Sequence, residues 1–162
     1  MELPSFRNVY NIAGEALLPH RPPFLFVDRL LSADETGALG EYTFSLEKND
    51  FLSGHFPGFP VVPGVILIEA MSQVAGAAVV ARGVVGEDAA FAFASVDEAR
   101  FKRPVLPGDK LTTVAKVIRE RAPLGVYEVA GYVDGELAVT AKVKCMIRSA
   151  TGSGFAGAVG RK

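Results

Sequence analysis

His55 and Glu69 are the residues in this sequence whose types and spacing could do chemistry. Glu69 lies in an otherwise apolar run, and burial there would favour its protonated form, which can donate a proton. His55 lies in a loop rich in Pro and Gly, and a neutral imidazole can accept a proton. Only fourteen positions separate the two, and the loop leads directly into the apolar run. Both side chains could therefore face one pocket and act as a general acid and a general base, the pair that elimination of water requires.

Each of these residues also has a purely structural interpretation. A carboxylate in an apolar segment can simply pair with an Arg or Lys of a neighbouring strand. A histidine in a loop is more often structural or on the surface than catalytic. The residue types alone leave these alternatives open for Glu69 and for His55.

The segment that carries Glu69 predicts one long helix, which begins at Pro63 or Gly64 and ends at Ala81. A proline in the first turn and a glycine, Gly83, just beyond the end are both typical of helix boundaries. The run from Val61 to Ala81 is also long enough to imitate a membrane span. A carboxylate in the middle of a span costs about 2.5 to 3.5 kcal/mol, however, so a buried helix in a soluble protein is favoured.

Polar and small residues form a stripe along this helix. Residues three and four apart share a face, which groups Glu69 with Ser72, Gln73 and Gly76. We predict that Gln73, one turn beyond Glu69, holds its carboxyl group through a hydrogen bond. The backbone N–H of Gly64 or Val65, at the start of the helix, could stabilise the oxyanion that forms when a proton next to a carbonyl is removed.

The rest of the chain predicts an α+β fold in which about six antiparallel strands wrap around the single helix. A helix that is apolar nearly all the way round needs cover on most sides. Asp134-Gly135 is typical of a tight hairpin, and the other separators carry turn chemistry. The predicted strands are Phe24–Leu31, Ala38–Leu46, Phe91–Phe101, Lys110–Arg119, Val126–Val133 and Glu136–Met146. Residues 1–148 form one domain, and the Gly-, Ala- and Ser-rich residues 149–162 predict a flexible tail.

Composition excludes several classes of function. The formal net charge is -1, with 17 Lys and Arg against 18 Asp and Glu, so no overall field attracts nucleic acid or an anionic membrane. One cysteine, Cys145, and two histidines leave little from which to build a disulfide or a metal site. The N-terminal residues lack the pattern of a signal peptide. We therefore expect a cytoplasmic protein without a metal.

The densest basic cluster consists of Arg100, Lys102 and Arg103. These side chains could hold a phosphate group or an acidic carrier protein. The alternative interpretation is that they are ordinary solvated surface charge.

Four motifs in this sequence resemble those of the 3-hydroxyacyl-acyl carrier protein dehydratases of type II fatty acid synthesis. The resemblance covers about Leu17 to Met146. It rests on Leu18-Pro19-His20-Arg21-Pro22-Pro23-Phe24, Gly54-His55-Phe56-Pro57-Gly58, the helix segment from Pro63 to Gln73, and the segment from Ala99 to Asp109.

The resemblance implies a hotdog fold and a dimer or a trimer of dimers. It also implies active sites at the dimer interface, with His55 from one chain and Glu69 from the other. The N–H of Gly64 would polarise the thioester carbonyl of a (3R)-3-hydroxyacyl group, which becomes a trans-2-enoyl group. Acyl carrier protein would present this substrate on its phosphopantetheine arm, and no further cofactor is expected.

Two departures and two alternatives accompany the resemblance. Phe59 stands where many members have His, and Val62 where Met is usual, which leaves the acyl-chain preference open. The branch that also isomerises the double bond carries Asp at the position of Glu69, so Glu69 favours dehydration alone. The alternatives are a hotdog acyl thioesterase, which would not need His55, and a non-catalytic subunit that binds acyl carriers. The second is disfavoured because an acid, a base and a helix-end donor are all present.

Overall fold

One long helix, α1 (Gly64–Ala81), lies at the centre of the fold, as the sequence predicts. Thirteen of its eighteen residues are buried, and Met71 and Val79 are fully enclosed. The helix is long and apolar enough to cross a membrane, with a mean hydropathy of 1.8, but most of its surface is covered by the rest of the chain. It is therefore packed as the core helix of a globular domain.

The computed structural model describes residues 2–149, in which seven strands form one antiparallel sheet. The sheet packs against α1 through every strand from β2 to β7, so the predicted hotdog architecture is confirmed. Its spatial order is β1-β2-β3-β5-β6-β7-β4. The strands are β1 (Asn8–Ala13), β2 (Arg29–Asp34), β3 (Gly37–Thr43), β4 (Ala89–Phe101), β5 (Lys110–Arg121), β6 (Leu124–Val133) and β7 (Glu136–Ser149). The predicted flexible tail lies, from residue 150 onward, outside the described residues.

The N-terminal part of the sheet differs from the prediction in two ways. Strand β1 was not expected, because half of its residues are exposed, none is fully buried, and apolar and polar residues do not alternate regularly. The predicted strand from Phe24 begins only at Arg29. The backbone of Phe24 and Phe26 is bonded by the side chain of Gln73 on α1 instead of by a neighbouring strand. A side chain on the helix thus replaces the start of a strand.

A partly buried ion pair fixes the C-terminal end of α1 to the sheet. Arg82 follows the last helical residue, and its Nη2 donates to both carboxylate oxygens of Glu120 on β5 at 2.6 and 2.7 Å. Tyr127 on β6 donates its hydroxyl to the same carboxylate at 3.0 Å, and burial raises the pKa of this tyrosine. Because both charges are paired and hydrogen-bonded, the cluster holds the helix end in one position.

Candidate active site

Glu69 lies in a small cavity between α1 and the strands β4 and β7. Its side chain is 19% exposed, so it is only partly removed from solvent. The cavity has a volume of about 20 Å³, enough for about one water molecule. The lining consists of His20, Glu69, Ser72, Gln73, Phe91, Ala92, Phe93 and Cys145.

Gln73 makes the predicted hydrogen bond to Glu69. Its Nε2 donates to Oε1 of Glu69 at 2.9 Å and to the carbonyl oxygen of Phe24 at 3.0 Å. Its Oε1 accepts from the backbone N–H of Phe26 at 2.7 Å. All of its polar atoms are used, so the amide, and with it one oxygen of Glu69, is held in one orientation.

His20 faces the same carboxyl group, although sequence reasoning assigned it no role beyond its place in a motif. Its Nε2 lies 3.7 Å from Oε1 of Glu69. Its Nδ1 is buried and has no hydrogen-bond partner among the residues that the structure describes. Burial lowers the pKa of His20 below its ordinary value of 6.5, against an opposing attraction from Glu69. A neutral imidazole therefore lies beside Glu69 at neutral pH.

Cys145 on β7 forms another part of the wall of this cavity. The residue is 5% exposed. Burial, with a smaller contribution from the nearby Glu69 carboxylate, raises the pKa of Cys145 to about 12. The thiol therefore stays protonated at neutral pH, as is typical of a cysteine buried in apolar surroundings.

His55 lies at the end of a 3₁₀ turn, in a loop that its own hydrogen bonds hold in shape. Phe56 and Phe59 exchange backbone hydrogen bonds of 2.9 Å, and the N–H of Val61 donates to the carbonyl oxygen of His55 at 2.7 Å. The Nδ1 of His55 lies 2.8 Å from the carbonyl oxygen of Val61. A carbonyl can only accept, so Nδ1 carries the hydrogen and the neutral ring has its lone pair on Nε2.

The cleft that contains His55 also contains the start of α1. It has a volume of about 430 Å³ and is lined by His55, Gly64, Leu67 and Phe101, among others. The N–H groups of Gly64 and Val65 donate to no acceptor within residues 2–149, since the first-turn bonds of α1 start at Ile66. A Cβ atom at Gly64 would meet the ring of Phe101 at 2.7 Å. Glycine thus allows the ring of Phe101 to pack closely against the start of the helix.

The predicted basic cluster is divided between two faces of the sheet. Lys102 and Arg103 follow the end of β4 and line the His55 cleft. Arg100 pairs in register with Thr140 and lines a separate pocket with Thr140 and Lys142. Successive residues of a strand point to opposite faces, which is why Phe101 reaches the cleft and Arg100 does not.

Within one protomer, His55 and Glu69 line different cavities. The structure brings Gly64, Lys102 and Arg103 together with His55, and Gln73 and His20 together with Glu69. No three His, Cys, Asp or Glu side chains within residues 2–149 are grouped closely enough to hold a metal ion.

The sheet-wrapped helix, with a histidine cleft at its start and a carboxyl group one third of the way along it, defines a hotdog domain of the type that acts on acyl thioesters. The model of the FabA-like domain matches residues 18–142, and the chain belongs to this family. It is 44% identical, over 82% of this chain and 89% of the other, to the 3-hydroxyacyl-acyl-carrier-protein dehydratase FabZ of Polynucleobacter necessarius. The enzyme of the same name from Mannheimia succiniciproducens is 42% identical, over 82% of this chain and 88% of its own.

Solved structures support the fold. The dehydratase heterocomplex ApeI:P from Xenorhabdus doucetiae superimposes with a TM-score of 0.80 at 15% identity, over 93% of this chain and 99% of the other. The E. coli PaaI protein, from the phenylacetic acid degradation operon, gives a TM-score of 0.55 at 22% identity, over 72% and 80% of the two chains.

Proposed function

We propose that this protein dehydrates 3-hydroxyacyl groups carried by acyl carrier protein to trans-2-enoyl groups, a step of fatty acid biosynthesis. It is a hydro-lyase, as its curated relatives are named. The observation that carries the assignment is the His55 cleft, where an imidazole with a free Nε2 lies beside unpaired N–H groups at the start of α1. These groups supply a base and an oxyanion site in one place.

The reaction needs only groups of the protein and its substrate. His55 Nε2 removes the proton from C2 of the acyl thioester, while the N–H of Gly64 donates to the carbonyl oxygen on which charge develops. The C3–O bond then breaks, and Glu69 gives its proton to the departing hydroxyl, which leaves as water. A double bond between C2 and C3 remains. Proton transfer from the imidazolium to the carboxylate through solvent restores the starting state.

The two halves of this site meet across a homodimer. Strand β4 is the last strand of the sheet, so one of its edges is unpaired, and Phe93 and Phe101 on it are 42% and 53% exposed. A long apolar edge of this kind favours pairing with a second copy. In a two-fold antiparallel pair, the end of β4 beside the His55 cleft lies opposite the start of the partner's β4, beside its Glu69 cavity. The assembly is a dimer or a trimer of such dimers.

The substrate reaches this site on a carrier protein. Lys102 and Arg103 line the His55 cleft, where Lys102, and Arg103 by exchanging its surface ion pair with Glu136, can contact a phosphopantetheine phosphate or an acidic carrier surface. Arg100 contributes less to docking because it lines a pocket on another face. We place the activity in the cytoplasm, where Cys145 has no disulfide to form, and without a cofactor of the protein's own.

The activity is tested by following the reverse reaction with purified protein. Hydration of a trans-2-enoyl thioester removes the absorbance of the conjugated thioester. We expect turnover by the wild-type protein and a loss of about 10²- to 10⁴-fold in His55→Ala and in Glu69→Gln. Wild-type turnover by both variants would contradict the assignment.

A control variant and a second assay complete the test. Glu35→Gln removes a carboxylate that pairs with Arg7 on the surface, where both side chains are exposed, and should leave turnover unchanged. A thiol-trapping reagent separates dehydration from thioester cleavage, because only the latter releases a free thiol. Release of thiol at the rate of substrate loss would favour the thioesterase alternative.

A further inference from the structure

His20 is a partly buried titratable residue, 18% exposed at its side chain, to which the proposed reaction gives no task. We propose that His20 is a positioning residue for Glu69: its neutral ring directs an Nε2–H at Oε1 of the carboxyl group, and with Gln73 it reserves Oε2 for the proton that is transferred. This inference rests on the proposed dehydratase function and adds a residue to it.

The orientation of Gln73 is fixed independently of His20. The backbone N–H of Phe26 can only donate, so the atom of Gln73 that it contacts at 2.7 Å is the oxygen. The amide nitrogen must then donate to Phe24 and to Glu69. Oε1 of Glu69 is therefore an acceptor, and the proton of the acid form belongs on Oε2.

The orientation of the His20 hydrogen follows from that of Gln73. A hydrogen on Nδ1 would be a buried donor without a partner, and the lone pair of Nε2 would then oppose the acceptor Oε1. A hydrogen on Nε2 points at Oε1 and replaces this repulsion by an attraction, whereas Nδ1 is without a partner in either tautomer. Two other charged or titratable residues lie near the ring. Arg21, in the same segment, works with burial to lower the pKa of His20 and keep the ring neutral. Cys145, on β7, is itself neutral.

Gln73 and His20 both direct an N–H donor at Oε1 of Glu69, which gives the two carboxyl oxygens different tasks. Oε2 receives no hydrogen bond within the described residues, so it is the oxygen available to a substrate. The separation of 3.7 Å between His20 and Oε1 is longer than a hydrogen bond, and a movement of about 0.5 to 1 Å closes it. Contacts of this kind commonly tighten when substrate binds.

Substitution of His20 tests the proposal in kinetics. His20→Ala should lower kcat by about 10- to 100-fold with little change in KM, as expected when a group that orients a catalytic residue is lost. His20→Gln should restore most of the activity, because its amide can place an N–H near the position of Nε2. An equal loss in both variants, or none in His20→Ala, would overturn the proposal.

Leu18→Ala provides the matched control for folding. Leu18 is a core residue of the same segment, 2% exposed, with no contact to the Glu69 cavity. We expect this variant to lose thermal stability but to keep its kcat at temperatures where it is folded. His20→Ala should show the reverse, because the His20 ring makes no hydrogen bond that folding would lose.

The ring itself can be observed without reference to activity. The chain has two histidines, and nitrogen NMR distinguishes the tautomers of each. We expect at neutral pH an Nε2–H tautomer for His20 and, for the neutral form of His55, an Nδ1–H tautomer; the spectrum of His20→Gln assigns the signals. An Nδ1–H or a charged His20 would contradict the proposal. An inactive wild-type protein would defeat the assigned function alone, since the NMR result stands independently.

Discussion

The side chain of Gln73 joins two parts of the molecule that are far apart in the sequence. It bonds Glu69 on its own helix and the backbone of Phe24 and Phe26, and it is 3% exposed. A residue with three such partners both supports the fold and orients the carboxyl group that is proposed to be catalytic. Its loss should therefore be visible in stability as well as in rate.

Gln73→Leu separates these two tasks. The N–H of Phe26 would lose its acceptor in the core, which should lower the free energy of unfolding by about 1 to 3 kcal/mol. The carboxyl group of Glu69 would no longer be held in one orientation, which should lower kcat by about 10- to 100-fold. Denaturant unfolding and steady-state kinetics measure the two effects.

Ser72→Ala is the comparison variant for Gln73. The hydroxyl of Ser72 donates to the carbonyl of Ile68 in its own helix, so its removal leaves the contacts of Glu69 in place. Stability and kcat should both stay close to wild type. If Gln73→Leu lost stability but kept its kcat, Gln73 would be only a brace for the segment at Phe24.

At the scale of elements, neighbouring side chains at the end of β4 point to opposite faces of the sheet. Phe101 is the last residue of the strand and reaches the cleft, with Lys102 and Arg103 beyond it. Arg100, one residue earlier, shares a pocket with Lys142. The alternation of the strand thus decides which cations can meet a substrate that enters the cleft.

Substrates with and without a carrier protein distinguish these cations. Lys102→Ala and Arg103→Ala should raise KM several-fold for a carrier-bound substrate, with little change for a short thioester, and the difference should shrink at high salt. Arg100→Ala should have a smaller effect. Equal losses on both substrates would indicate a folding role, and an equal effect of Arg100→Ala would contradict docking at this end of β4.

The sequence predicted the elements whose local signals agree with their packing. Gly64–Ala81 is apolar and bounded by Pro63 and Gly83, and the structure has the same helix. The strand predicted to begin at Phe24 was wrong because this segment is hydrogen-bonded by a side chain on α1, and no local sequence pattern indicates such a long-range contact. Strand β1 failed because pairing with β2 alone leaves its side chains exposed. Such errors arise where long-range contacts outweigh local preference.

The sequence predicted the contacts of the site that are local and missed those that are long-range. The pair Glu69 and Gln73 lies one turn apart on a helix, so spacing alone predicted the bond that the structure shows. His20 is forty-nine positions from Glu69, in a proline-rich segment without periodicity, and only the tertiary fold brings the two together. The end of this strand at Phe101 was predicted correctly, but the two pockets that separate Arg100 from Lys102 and Arg103 are formed by residues distant in sequence.

At the scale of the whole molecule, His55 and Glu69 line different cavities of one chain, so the proposed reaction requires a second copy to complete each site. In the proposed dimer, which pairs the two β4 edges, each of two sites would take its histidine from one chain and its carboxyl group from the other. Activity then depends on assembly as well as on folding.

Mixed dimers test this arrangement directly. When His55→Ala and Glu69→Gln chains are refolded together in equal amounts, each mixed dimer contains one site with both wild-type residues. We expect about one quarter of the wild-type activity, because half of the dimers are mixed and half of their sites are intact. Light scattering confirms that assembly has occurred.

A second mixture serves as the control. His55→Ala chains combined with chains that carry both substitutions form no intact site and should stay inactive. Absence of recovery in the first mixture, at the same extent of assembly, would show that each site lies within one chain.

The protonated thiol of Cys145 has a consequence for the lifetime of the enzyme. The proposed product is an α,β-unsaturated thioester, an electrophile that thiolates attack by conjugate addition. Cys145 lines the same cavity as Glu69, the carboxyl group that is proposed to protonate the departing hydroxyl. With a pKa of about 12 the sulfur remains a thiol, which is a poor nucleophile. The burial that keeps Cys145 protonated thus protects the enzyme from alkylation by its own product.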